Sequence, residues 1–157
     1  MHSDKSASTP LPISLQPSQR PYALAVGSLM YAMVATRPNI SHVIGVVRRF
    51  MHNLGQSHCN AIKHVFRYLI CTKCHGILFG PNKNSSILGY TDSDLVDCVD
   101  SRKSTTGYCF KFSNGAISWK SKLQEGTTTS TIEAEYVAAS DAAKEALWLG
   151  RLAYTFR

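Results

Sequence analysis

The sequence predicts a mixed α+β chain: a helical subdomain, then a three-stranded antiparallel sheet, then one long helix. Three observations carry that expectation. Apolar residues recur at helical spacing as far as Leu69, the period shortens to that of strands after His75, and a helical period returns near Thr131. The 157 residues suffice for one domain, or one domain and part of another, and a 44% hydrophobic composition supplies a core.

Residues 1–21 are rich in Ser and Pro and follow no period, which predicts a disordered tail. Its basic residues are too sparse for a transit peptide. The helical subdomain is expected over residues 22–75. Its first helix carries Tyr22, Val26, Leu29, Met30 and Met33, and Thr36-Arg37-Pro38-Asn39 breaks it. Ile40, Val43, Ile44, Val47 and Met51 mark a second helix with Arg48 and Arg49 on another face. After Asn53-Leu54-Gly55 a third helix is predicted to bury Ile62, Val65, Phe66 and Leu69 and to expose Lys63, His64 and Arg67.

Residues 76–157 read as a second unit. Gly76–Gly80 is a short apolar run followed by turn chemistry at 81–84. Strands are predicted over Ser86–Ser93, Gly107–Phe112 and Ala116–Trp119, with Asn114-Gly115 as the hairpin turn between the last two. The long helix is expected over Thr131–Leu152.

The charge of +7 points to a polyanionic partner such as nucleic acid. Arg48, Arg49, Lys63 and Arg67, with Lys120 and Lys122, are the candidate phosphate contacts; a plain solvated face is the competing reading. No apolar run approaches the roughly 20 residues of a membrane span. Five cysteines at irregular spacing without a secretory signal read as reduced thiols in an intracellular protein, cytoplasmic or nuclear. Cys71-Thr72-Lys73-Cys74-His75 matches a haem-attachment pattern and half a zinc site, but no second ligand pair stands in register with it. It is expected to be a helix-end turn, with no haem.

The stretch GYTDSDLVDCVD holds four of the chain's ten acidic residues. A calcium loop counted from Asp92 would have Val96 at position 5, Asp97 in place of glycine and Lys103 in place of glutamate, so calcium is rejected. Asp92 ends an apolar strand, where a carboxylate is rigidly held. Asp97 and Asp100 are expected to be solvated or paired with Arg102 and Lys103. Ser130-Thr131-Ile132-Glu133 fits a capping box. Glu135 lies about 200° around the helix from Glu133. It shares a stripe with Ile132, Ala139, Ala142 and Ala146, the face expected to pack on the sheet. A carboxylate there is costly unless paired or bound to metal; the alternative is an edge glutamate that snorkels. Glu133 is therefore expected to cap, and Asp92 and Glu135 to form the catalytic metal pair, with Asp94 as a neighbour in reserve. Hard oxygen donors facing each other suit Mg2+ or Mn2+, which in pairs activate water and stabilise a leaving oxygen in phosphodiester cleavage.

Several stretches together resemble the ribonuclease H at the end of the polyprotein of copia-type LTR retrotransposons: PYALAVGSLMYAMVATRPNI, RYL, ILGYTDSD, DSRKSTTGY, AISWKSK, STIEAEYVAAS and AAKEALWL. The resemblance covers nearly everything from Pro21 to Leu152. It implies that residues 22–75 are the thumb or connection part of a reverse transcriptase and that residues 76–157 begin an incomplete ribonuclease H-like fold. The implied activity is cleavage of RNA in RNA–DNA hybrids, with Asp92 and Glu135 as the first two metal carboxylates. The family's third carboxylate, on a strand after this helix, and its fourth, near the domain end, have no counterpart here. Where the family reads close to DADLAGD, this chain reads DSDLVDC, with Asp97 in place of glycine. The expectation is a catalytically incomplete centre that binds an ion weakly, if at all, in a decayed copy whose partners are an RNA–DNA hybrid or other nucleic acid and other Pol segments. The competing expectations are a noncatalytic nucleic-acid-binding remnant and an unstable product.

Overall fold

Alternation along the central strand organises the second half of the molecule. The computed structural model describes residues 20–80, 86–96, 98 and 101–155. Strands β1 (Leu88–Asp94), β2 (Thr105–Phe112) and β3 (Gly115–Leu123) form an antiparallel sheet in the order β1-β2-β3. In the register, Thr91 pairs with Tyr108 and Tyr108 with Lys120, while Asp92 pairs with Gly107 and Gly107 with Ser121. Directly opposed residues share a face, so these two rows point to opposite sides of the sheet.

The first of those sides is covered by helix α4 (Thr131–Thr155). Phe110, Ala142 and Leu149 form its core with Ile87 and Tyr108 against it. Ala134, Ala138 and Ala142 are buried; side chains this small bring the helix axis close to the strands. Phe110 lies flat across Gly89, where a Cβ would collide with its ring. The β2–β3 turn is Ser113-Asn114, both at positive φ (48° and 68°), one residue before the predicted Asn-Gly pair. Gly115 opens β3 instead, because the Phe79 ring occupies the space a side chain would need. The run Gly76–Gly80 is irregular and not a strand, although the Gly80 N–H donates to the Ser113 carbonyl at 3.0 Å.

The helical subdomain comprises α1 (Arg20–Ala35), α2 (Ser41–Val47) and α3 (Gln56–Cys71), with single 3-10 turns at Pro38–Ile40 and Arg48–Phe50 flanking α2. Residues 1–19 of the predicted tail lie outside the described residues, and α1 begins at Arg20, so the tail's last two residues are helical. Tyr22, Val26, Leu29, Ile40, Ile44, Val47, Ile62 and Val65 make a single core. Phe66, predicted to be buried, is 38% exposed, because α3 turns only Ile62 and Val65 fully inward.

Arg37, in the break between α1 and α2, ties this unit together. It is 8% exposed, and its guanidinium donates to the carbonyls of Thr72 (2.9 Å) and His75 (2.8 Å) and to the Thr72 hydroxyl. A cation at the carbonyl end of α3 also meets the negative end of the helix dipole. The Cys71–His75 motif is thus a helix-end turn. Cys71 and Cys74 are exposed free thiols, and no disulfide or metal cluster occurs among the described residues. Nor is any described helix long and apolar enough to cross a membrane.

The helical unit sits on β3, on the sheet side away from α4. The Trp119 indole N–H donates to the Met33 carbonyl at 3.0 Å, and a Cβ on Gly45 would stand 3.7 Å from the Ser121 carbonyl. Leu29 is 1% exposed at the centre of the helical core. Leu29→Ala is expected to cost about 2–5 kcal/mol, read as a lower urea midpoint with unchanged slope.

Candidate functional site

The start of α4 is built by its caps. The Glu133 N–H donates to the Ser130 hydroxyl at 3.2 Å. The Glu133 carboxylate accepts from the Thr129 N–H at 2.7 Å and the Thr129 hydroxyl at 3.1 Å, one residue further back than an ideal capping box. Gln124, 6% exposed, donates to the Ala134 carbonyl and the Thr106 hydroxyl, both at 3.0 Å. These bonds fix the first turn of the helix against the end of β3.

Further along, polar side chains hold α4 to the sheet. Lys120 pairs with Asp141 at 2.9 Å and lies 5.7 Å from the Tyr108 ring centroid, and the Ser118 hydroxyl donates to Glu145 at 2.6 Å. The Lys120 hydrogen bond holds the Asp141 carboxyl below its ordinary pKa, against an opposing effect of burial. Burial, then the nearby Glu145 and Asp141, push the Tyr108 phenol up.

Asp92 and Asp94 are exposed near the end of β1. Asp92 accepts its neighbour Ser93's N–H at 2.9 Å. Its row partners, Gly107 and Ser121, place it on the side of the sheet away from α4. Glu135 is exposed on α4. The buried row of that helix is Ala134, Ala138, Ala142 and Leu149, offset from the predicted stripe; Ile132 is 81% exposed. Of that stripe Ala142 is buried against Phe110 as expected, and Ala139, Ala142 and Ala146 wall a groove of about 420 Å³ against β1, lined there by Ile87, Gly89, Tyr90 and Thr91. Glu135 precedes Ala139 by one turn on this wall. Both members of the expected pair are thus exposed, one near the end of β1 and one in the first turns of α4, the helix that packs on that strand. The desolvation argument for Glu135 falls, because the side chain is not buried. Asp97 and Asp100 lie outside the described residues.

The six predicted phosphate contacts separate into three environments. Arg48 and Arg49 line one groove of about 190 Å³ at the seam between α2 and the sheet, with His42, Thr105 and Ser121; Lys122 borders it, but its register partner Thr106 puts its side chain on the α4 side, where it pairs with Glu125 at 3.2 Å. Lys120 is committed to Asp141 on the α4 side. Lys63 and Arg67 are exposed on α3, outside the groove. Sequence reading missed His42 and the sheet residues Thr105 and Ser121, since the packing of α2 on β3 brings them together.

The similarities to known proteins are extensive. Over 131 residues the chain is 53% identical to the retrovirus-related Pol polyprotein from transposon TNT 1-94 of Nicotiana tabacum, covering 83% of this chain and 10% of that one. It is 36% identical to the Pol polyprotein from transposon RE2 of Arabidopsis thaliana, over 85% of this chain and 9% of that one. It is also 43% identical to the secreted RxLR effector protein 161 of Plasmopara viticola, over 82% of this chain and 91% of that one. The chain thus spans about a tenth of the length of these Pol polyproteins. No protein-family model matches it, and no solved structure is significantly similar.

Because the Asp141 pKa lies below that of an unfolded carboxylate, the Lys120–Asp141 pair contributes stability at neutral pH. That contribution is lost as the pH falls through the acidic range below about 4. Lys120→Met is expected to flatten the acid limb of a stability-versus-pH curve, measured by thermal melting, by a modest amount because the pair is one-third exposed.

Proposed function

The chain belongs to the Pol polyproteins of copia-type retrotransposons, and from that premise we propose that it binds RNA–DNA hybrid and carries part of a ribonuclease H centre, with little hydrolysis of its own. The observation that supports this reading is the placement of Asp92. It is an exposed carboxylate near the end of a sheet strand, on the same sheet face as the residues that floor an arginine-lined groove.

Asp92 and Glu135 offer hard oxygen donors of the kind magnesium or manganese takes. Two carboxylates are fewer donors than such an ion takes: both are exposed, and no group of three or more metal-capable side chains occurs among the described residues. A divalent ion bound there would supply charge neutralisation and an activated water. This chain's own residues offer only the backbone-held carboxylate of Asp92, Asp94 two residues along the same face, and cationic side chains for the substrate's phosphates. Binding is thus the activity these residues support best. Arg48 and Arg49 have no carboxylate partner among the described residues, which leaves their charge available to an external anion.

A labelled RNA–DNA hybrid incubated with the purified chain and magnesium is expected to stay intact while shifting in a binding assay. Robust magnesium-dependent cleavage, abolished by Asp92→Asn, would overturn the incomplete centre. Absence of any hybrid binding would overturn the reading as a whole.

A further inference from the structure

We propose that the shelf between the helical subdomain and the sheet is the track for one phosphate backbone, anchored by Arg48 and Arg49 and leading across β2 to Asp92. This deepens the hybrid-binding reading and rests on it.

Four observations converge on the shelf. The first is its floor. Asp92, Gly107 and Ser121 stand side by side on three adjacent strands and point to the same face. Two of those three are as small as residues come, so the floor is shallow from the carboxylate to the seam. The second is its wall. Gly45 brings α2 within van der Waals reach of the Ser121 carbonyl, and the turn that follows presents Arg48 and Arg49 at that end of the row. A larger residue at position 45 would push the arginines away from the sheet.

The third observation is charge. His42, Arg48 and Arg49 line the seam groove. Arg49 spends one N–H on the Gly45 carbonyl at 3.3 Å. The guanidinium groups therefore keep donors for phosphate oxygens. Asp92 and Asp94 at the other end repel an uncompensated phosphate, so the anchor end is unambiguous. The fourth observation is scale. Strands about 4.8 Å apart put Ser121 about 10 Å from Asp92, room for a short stretch of one backbone.

The test measures binding of a short labelled RNA–DNA hybrid by fluorescence anisotropy in EDTA, across a salt series, so that no metal or cleavage enters. The double variant Arg48→Gln/Arg49→Gln is expected to weaken binding and to lower the slope of log affinity against log salt by about 2, one for each lost phosphate contact. Lys63→Gln/Arg67→Gln is expected to leave the slope unchanged. Gly107→Glu places a carboxylate in mid-track. A Cβ there meets only the Asp92 carbonyl at 3.8 Å, so the fold accommodates it, and binding is expected to fall although no cation is removed. A circular-dichroism melt confirms that each variant is folded; if Gly107→Glu is not, the two arginine and lysine pairs decide. Equal slopes for wild type and the Arg48/Arg49 variant, or an equal loss in the Lys63/Arg67 variant, would overturn the track while leaving hybrid binding standing. No binding by the wild-type chain would remove the hybrid-binding reading itself.

Discussion

The pleat of β2 is the constraint on which the rest of the structure depends. A central strand pointing Thr106, Tyr108 and Phe110 one way and Thr105, Gly107 and Cys109 the other has two faces to cover. The first face carries the large side chains and receives α4. The second carries little bulk, and the helical unit covers it only along β3. The consequence is asymmetric. Near β3 the second face is closed by Trp119 and α2; near β1 it is open, with Leu88 and Tyr90 more than half exposed. A step is left between wall and open floor, and Asp92 stands on the open part of that floor.

Two different kinds of contact hold the covering layers. Helix α4 approaches closely because Ala134, Ala138 and Ala142 are small, but alanine rows specify orientation poorly. The polar set Lys120–Asp141, Ser118–Glu145 and Gln124–Ala134 supplies the register, since a slide by one turn would strand these partners without replacements. The helical unit uses the opposite arrangement. Its core is a conventional aliphatic cluster, and one buried cation, Arg37, locks the end of α3 to the α1–α2 break. Each layer therefore has its own source of order, and the shelf lies where the two layers meet.

Much of this was legible in the sequence, for reasons that differ by residue. Helix and strand order followed from period alone, because one-sided burial imposes 3.6 or 2 on the apolar positions. The Ser130 cap was legible because capping is local. The hairpin turn was misplaced by one residue because the glycine of Asn114-Gly115 answers to a tertiary neighbour, the Phe79 ring, and not to the turn. The packed face of α4 was misjudged by about one residue: in a stretch so rich in alanine, the stripe through Glu135 and the one through Ala134 look equally apolar. Asp92 was identified as an end-of-strand carboxylate, but its face could not be assigned without β-pairing. The basic residues were recognisable as a class. Their division into a groove, an ion pair and an open surface depends on contacts between residues up to about 80 positions apart.

The carboxylates near the end of β1 have a physical role that does not require a metal. Among the described residues β1 is an edge strand with one side of its backbone unpaired and with exposed Leu88 and Tyr90, features that invite another strand to add. Asp92 and Asp94 place negative charge on that edge and oppose such pairing. The same position has a second consequence. For Asp92 and Glu135 to hold an ion, further donors are needed, and the exposed edge of β1 is a place where one can enter. Charge that guards the edge in the isolated chain would then favour a cation-bearing arrival over an apolar one. Edge protection and ion binding are thus alternative uses of one electrostatic feature, and the choice between them lies with whatever occupies the free side of β1.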